Sequence, residues 1–136
     1  MGRILVSVTI SSFADPAREM TCDALVDTGA YCLTLPIAWK DRLGPFALSR
    51  AVQLETADRR VLDAELCGPL MIRIEGFDAL AGEVLFMQPK AGGRFEPLLG
   101  YVTLEQAGIA VDLVGHRLLR VPHFDLKVAA GPASVP

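Results

Sequence analysis

The chain is predicted to fold as an all-β barrel, and three observations carry that prediction. Apolar and polar residues alternate with a period of two along most of its 136 residues, as strands with one buried face require. The breaks between these runs are built from Gly, Pro, Asp and Ser. Only two segments, both short, have helical character, and nothing alternates strand with helix in the manner of a parallel sheet.

Ile4, Val6, Val8 and Ile10 alternate with Leu5, Ser7 and Thr9, which predicts a first strand. "SSFADPARE" (residues 11–19) reads as a loop and "MTCDALV" as a second strand, with a short third at residues 31–35. Pro36 then fits the first turn of a short helix, "PIAWKDRLG", closed by Gly44 and Pro45. Trp39 and Leu43, four apart, form its buried face. Two alternating runs meet at the polar tip "ADRR" (residues 57–60), so residues 52–66 are expected to form a long hairpin. A separate hairpin runs from "LMIRIEG" through Phe77-Asp78 into "ALAGEVLFM". "QPKAGGRFEP" (residues 88–97) is a loop, Tyr101 to Ala107 a short helix stopped by Gly108, and "IAVDL" with "HRLLRV" a last hairpin. Asp112 is expected to cap its turn. Residues 1–122 are thus expected to be one domain, and residues 123–136 a flexible C-terminal tail.

Composition excludes several classes of function. About half the chain is apolar, 21% is charged and the net charge is −3, so a soluble domain is expected and a nucleic-acid partner is not. The thirteen Lys and Arg are scattered, and Arg59-Arg60 is the one adjacent basic pair. The N-terminus lacks the long apolar segment and cleavage site of a signal peptide, and Val6 stands where a myristoylation signal needs Ser or Thr. No apolar run is long enough for a membrane span, and a cytoplasmic location is the default expectation. Cys22, Cys32 and Cys67 form neither a CxxC nor an even-numbered framework, and His116 and His123 lie apart from them. Reduced, buried, structural cysteines are expected, with no metal and no cofactor.

The element that points to chemistry is "ALVDTGAYCLTL" (residues 24–35), in which Asp27-Thr28-Gly29 interrupts an apolar run. As a turn it would be ordinary, since such a tripeptide arises by chance in about one chain in twenty of this length. A surface turn, however, does not call for Leu25 and Val26 immediately before it and Leu33 and Leu35 soon after. A faint echo of its apolar-apolar approach and glycine recurs at Leu98-Leu99-Gly100.

"LVDTGA" (residues 25–30) and "EPLLGYVTLEQAGIAVD" (residues 96–112), with the hairpin "VQLETADRRVLDAEL" between them, resemble the retropepsin-like aspartic proteases. The match spans about residues 3–121 and is closer to the small bacterial single-domain members than to the viral enzymes. The resemblance implies a retropepsin-like acid-protease barrel with one or two short helices and an active site at a homodimer interface. Asp27 would be the catalytic residue, facing Asp27 of a second copy, with Thr28, Gly29 and Ala30 supporting its loop. The Thr28 hydroxyl would be buried against the opposite loop, and Gly29 would let the two loops meet closely. Two adjacent carboxylates cannot both ionise easily, the established behaviour of aspartic proteases as a class, so one keeps a proton. The other acts as base on a water that attacks the peptide carbonyl. Ala57, Asp58, Arg59 and Arg60 would be the tip of a flap covering the peptide or protein substrate. Leu98, Leu99 and Gly100 would be a structural element past which the catalytic loop threads. Two departures from the viral pattern stand out: the flap tip has no glycine, and Gly100 is followed by Tyr101 rather than Arg. The C-terminal hairpin would replace the interleaved termini that hold viral dimers together.

Two other functions fit the same residues. One is a non-catalytic retropepsin-like module that binds peptides or joins subunits; the retained Asp27, Thr28 and Gly29 argue against it. The other is a small all-β binding barrel carrying the tripeptide by chance.

Overall fold

The computed structural model describes residues 3–56, 58–88 and 95–122. The expected tail at 123–136 and Ala57 of the expected flap tip lie outside the described residues.

Period-two alternation produces β1 (Leu5–Ser12), where Val8 and Ile10 are fully buried, and β2 (Glu19–Val26) pairs with it antiparallel from Leu5 opposite Leu25 to Ser11 opposite Glu19. β1 extends two residues into the predicted loop because Ser11 and Ser12 also pair with Met71 and Leu70. The third strand, β3, is Thr34–Pro36 and not residues 31–35. The reason is where the preceding backbone groups go: Tyr31 O accepts from Val102 N–H, and Leu33 N–H donates to the Thr103 hydroxyl at 2.9 Å. Pro36 ends β3 in an extended conformation instead of opening the helix. A single 3-10 turn (Ile37–Trp39) and α1 (Lys40–Leu43) follow, with Leu43 fully buried and Trp39 partly buried against the core.

β4 (Leu48–Glu55) and β5 (Val61–Ile74) form the expected hairpin, in register from Leu48 opposite Gly68 to Glu55 opposite Val61. The prediction of separate strands at residues 62–66 and 70–74 is corrected: both belong to β5, which is 14 residues long. Its first half pairs with β4, its second half with β1, and both halves with β6 (Leu80–Met87). The register shifts between Cys67 and Leu70, where Pro69 has no N–H to give the ladder.

The strand β7 is only Leu98–Leu99, yet it decides the topology. It lies parallel to β2 on one side and antiparallel to β3 on the other. The resulting order β1-β2-β7-β3-β6-β5, with β5 pairing back to β1, closes a six-stranded barrel, and β4 extends it from β5. α2 (Tyr101–Gln106) follows β7 directly, and Gly108, at φ +69°, turns the chain into a separate hairpin of β8 (Ile109–Asp112) and β9 (Arg117–Arg120).

The barrel core contains Val8, Ile10, Leu33, Leu35, Leu70, Ile72, Ile74, Val84, Phe86 and Leu99. A smaller cluster of Cys32, Ala64, Leu66 and Leu85, joined by Val52, Leu54 and Val102, holds the middle of the β4–β5 hairpin to the segment after Asp27. Among the described residues no helix is long and apolar enough to cross a membrane.

Candidate active site

Asp27 is the first residue after β2, and the barrel fixes both ends of the loop it begins. Upstream, Leu25 N–H donates to Pro97 O at 2.8 Å, and Asp27 N–H donates to Leu99 O at 3.0 Å. Within the loop, Ala30 N–H donates back to Asp27 O at 3.0 Å, closing a tight turn. Downstream, Ala30 O accepts from Tyr101 N–H at 2.9 Å, so the loop is tied to both β7 and the start of α2.

The carboxylate has its own partner: Asp27 Oδ1 accepts from Gly29 N–H at 2.9 Å. A Cβ at Gly29 would stand 3.2 Å from that oxygen, closer than nearly all real Cβ contacts, so glycine leaves the carboxylate room to turn inward. Gly100 is more constrained. A Cβ there would meet Ala30 O and Cys32 N, each at 2.5 Å; both are backbone atoms, and Ala30 O is further held by Tyr101 N–H. The Asp27 loop and the Leu98-Leu99-Gly100 element thus meet in space.

Asp27 and Ala30 are partly exposed, and Thr28 and Gly29 are exposed. Within one chain, therefore, Thr28 is not buried against another loop. Tyr31 and Tyr101, which follow Ala30 and Gly100, meet edge to face with ring centroids 5.9 Å apart. A cleft of about 320 Å³ opens beside Asp27 and Thr28, walled by Ile4, Leu25, Val111 and Leu113. A larger cleft of about 480 Å³ lies between Ile37, Met87 and the first residues of β5, and does not touch Asp27.

The described part of the expected flap tip is a compact turn. Arg60 N–H donates to the Thr56 hydroxyl, Thr56 N–H donates to Arg60 O, and Arg59 sits at φ +64°. The Asp58 carboxylate takes a hydrogen bond from the Thr56 hydroxyl and pairs with Arg60 at 3.2 Å. Both side chains are exposed, so the charged tip faces water and is internally paired. None of these hydrogen bonds or ion pairs of the tip reaches Asp27.

No protein-family model matches this chain, and no curated protein matches it.

Two features of the loop's support escaped sequence reasoning. Thr103 is fully buried in α2, and its hydroxyl receives Leu33 N–H. The tyrosine pair was equally hidden, although both tyrosines directly follow the two glycine-bearing elements. Cys32, buried just behind the loop, has its thiol pushed up to about 12, by burial first and by Glu83 in addition. Burial, with Asp23 nearby, pushes Cys22 up to about 11. Cys22 is only partly buried, which corrects the expectation of three buried cysteines; Cys32 and Cys67 are buried, and all three are free. Among the described residues no three His, Cys, Asp or Glu side chains converge on a point that could hold a metal ion.

Proposed function

We propose that this chain is a retropepsin-like aspartic endopeptidase that acts as a homodimer, with Asp27 of each copy flanking one water. The observation that carries the reading is the clamp on the Asp27 loop: β7 inserted between β2 and β3, with Gly100 packed against Ala30 too closely for any side chain. A chance Asp-Thr-Gly turn has no reason to be held at both ends by a second glycine-bearing element 70 residues away.

In this reading one Asp27 carboxylate removes a proton from the water as its oxygen attacks the peptide carbonyl carbon. The other, protonated, donates to the carbonyl oxygen. The tetrahedral diol then collapses: the C–N bond breaks as the now-protonated Asp27 gives its proton to the leaving nitrogen, and the ionised one takes a proton from a diol hydroxyl, so that the pair stays singly protonated throughout. The Gly29 N–H bond to Oδ1 holds each carboxylate in its loop plane, so little reorganisation is needed at the moment of attack. In this reading the β4–β5 hairpin covers the extended peptide, its charged Asp58–Arg60 pair remaining in water.

The test is hydrolysis of a peptide library by the purified chain and by Asp27→Asn. Asparagine retains an Oδ1 to accept from Gly29 N–H, so the loop is expected to survive while the base is lost. Cleavage by the wild type that disappears in a folded Asp27→Asn supports the reading. Undiminished turnover by the variant would overturn it, and a wild type that binds but never cleaves peptides would favour the non-catalytic module.

A further inference from the structure

The proposed chemistry makes no use of the cleft of about 480 Å³ between Ile37, Met87 and the start of β5. Its walls are mostly apolar, with Ala51 and Leu62 among them, and two carboxylates, Asp63 and Glu65, stand in it. Among the described residues no Lys, Arg or His lines it. The volume falls within the roughly 300–1,000 Å³ of ligand sites, which pair apolar walls with a few placed polar groups.

Strand register sets the charge of this region. Ala51, Gln53 and Glu55 of β4 lie opposite Glu65, Asp63 and Val61 of β5, and residues opposite each other in an antiparallel pair share a face. That face of the hairpin therefore carries Glu55, Asp63 and Glu65 and no basic residue. Lys40 reaches it from α1 but is taken by Glu65, and Arg60 at the tip is taken by Asp58. Among the described residues Asp63 has only the Gln53 amide, at 3.5 Å, near the outer limit of a hydrogen bond. An uncompensated carboxylate beside an apolar cleft selects a cation carried on an apolar stem, which is the chemistry of an arginine or lysine side chain.

The backbone beside the cleft favours a peptide as the carrier of that cation. β6 ends at Met87, opposite Ala64, while β5 begins three residues earlier at Val61. Val61, Leu62 and Asp63 thus pair with β4 on one side and, among the described residues, with no strand on the other. Val61 is accordingly 60% exposed. An open strand edge offers its free N–H and C=O groups to an extended chain, and the cleft that receives a side chain lies at this same edge.

We infer that this cleft is a peptide-binding site separate from the Asp27 loop, taking an arginine or lysine side chain against Asp63 while the neighbouring backbone lies along the open edge of β5. The test is an NMR titration of the isotopically labelled chain with the peptide Ac-Val-Arg-Val-NH2. Beside it runs the citrulline analogue, which keeps the shape of arginine and lacks its charge. The proteins are the wild type, Asp63→Asn, Ala51→Arg, which places a cation of the chain's own at the cleft, and Asp23→Asn, which removes a carboxylate on β2. All three positions are exposed, so the fold is expected to survive each change. Amide shifts are expected to centre on Leu62–Glu65. Citrulline or Asp63→Asn should weaken binding about fivefold, the worth of one partly exposed charge pair. Ala51→Arg should abolish it, Asp23→Asn should leave it unchanged, and added salt should weaken it. A wild type that does not bind, equal binding of the arginine and citrulline peptides, or shifts centred on Thr28–Ala30 would overturn the inference. So would n-butylguanidinium binding as tightly as the peptide, because the strand edge would then contribute nothing. The shifts report on the cleft alone, so this site stands or falls independently of peptide hydrolysis at Asp27.

Discussion

The Cα of Gly100 lies so close to the carbonyl of Ala30 that a Cβ built on it would stand 2.5 Å from that oxygen. The carbonyl cannot retreat without breaking its hydrogen bond to Tyr101 N–H, and Cys32 N closes the other side. Gly100→Ala is therefore expected to force the Asp27 loop off β7. Overpacking of this kind costs about 1–3 kcal/mol where side chains can move, and two backbone atoms put this site at or above the upper end. Urea unfolding followed by circular dichroism measures it, and an unchanged midpoint would contradict the clamp.

Thr103 supports the same loop from behind. Its buried hydroxyl accepts from Leu33 N–H, so Thr103→Val leaves a buried donor without a partner while preserving shape. The expected loss is about 1–3 kcal/mol. Thr103→Ser, which keeps the hydroxyl, is expected to recover part of it; a valine variant as stable as the wild type would show that the bond contributes nothing.

The β8–β9 turn is expected to respond to acid. Hydrogen bonding from Gly115 N–H, and then the Arg117 guanidinium, hold the Asp112 carboxyl below the usual range. A carboxyl lowered in the folded state contributes stability that is fully present above its unfolded value of about 3.9. That contribution disappears as pH falls through the lower folded value. The turn should thus be unaffected near neutrality and loosen only below about pH 4. In an NMR titration the Val114 and Gly115 amides are expected to shift with the Asp112 midpoint, and that transition should be missing in Asp112→Asn. A midpoint at or above the ordinary value would refute the assignment.

Thiol chemistry gives an independent check on packing. With Cys32 pushed up to about 12 and Cys22 to about 11, neither forms appreciable thiolate near pH 8. Iodoacetamide should label both slowly in the native protein and rapidly after unfolding. Fast native labelling of Cys32 would mean that the segment behind the Asp27 loop opens readily.

Sequence by itself determined the strands whose cause is local. The alternation of Val6, Val8 and Ile10 against Ser7 and Thr9 dictates β1 wherever it finds neighbours, and the capping of the last turn by Asp112 follows from an Asx side chain two and three residues ahead of free N–H groups. Asp27-Thr28-Gly29 and Leu98-Leu99-Gly100 were legible only as a faint echo, an apolar pair followed by a glycine at different spacings. Only the tertiary structure decided what lay between and beneath them. Two residues of β7 have no periodicity to read, yet their insertion between β2 and β3 closes the barrel and clamps Asp27. The fusion of two predicted strands into β5, the burial of the Thr103 hydroxyl and the meeting of Tyr31 with Tyr101 share the same cause. Each depends on backbone groups brought together across tens of residues. A side-chain pattern reports which face of a segment is buried, and carries no record of which distant segment buries it.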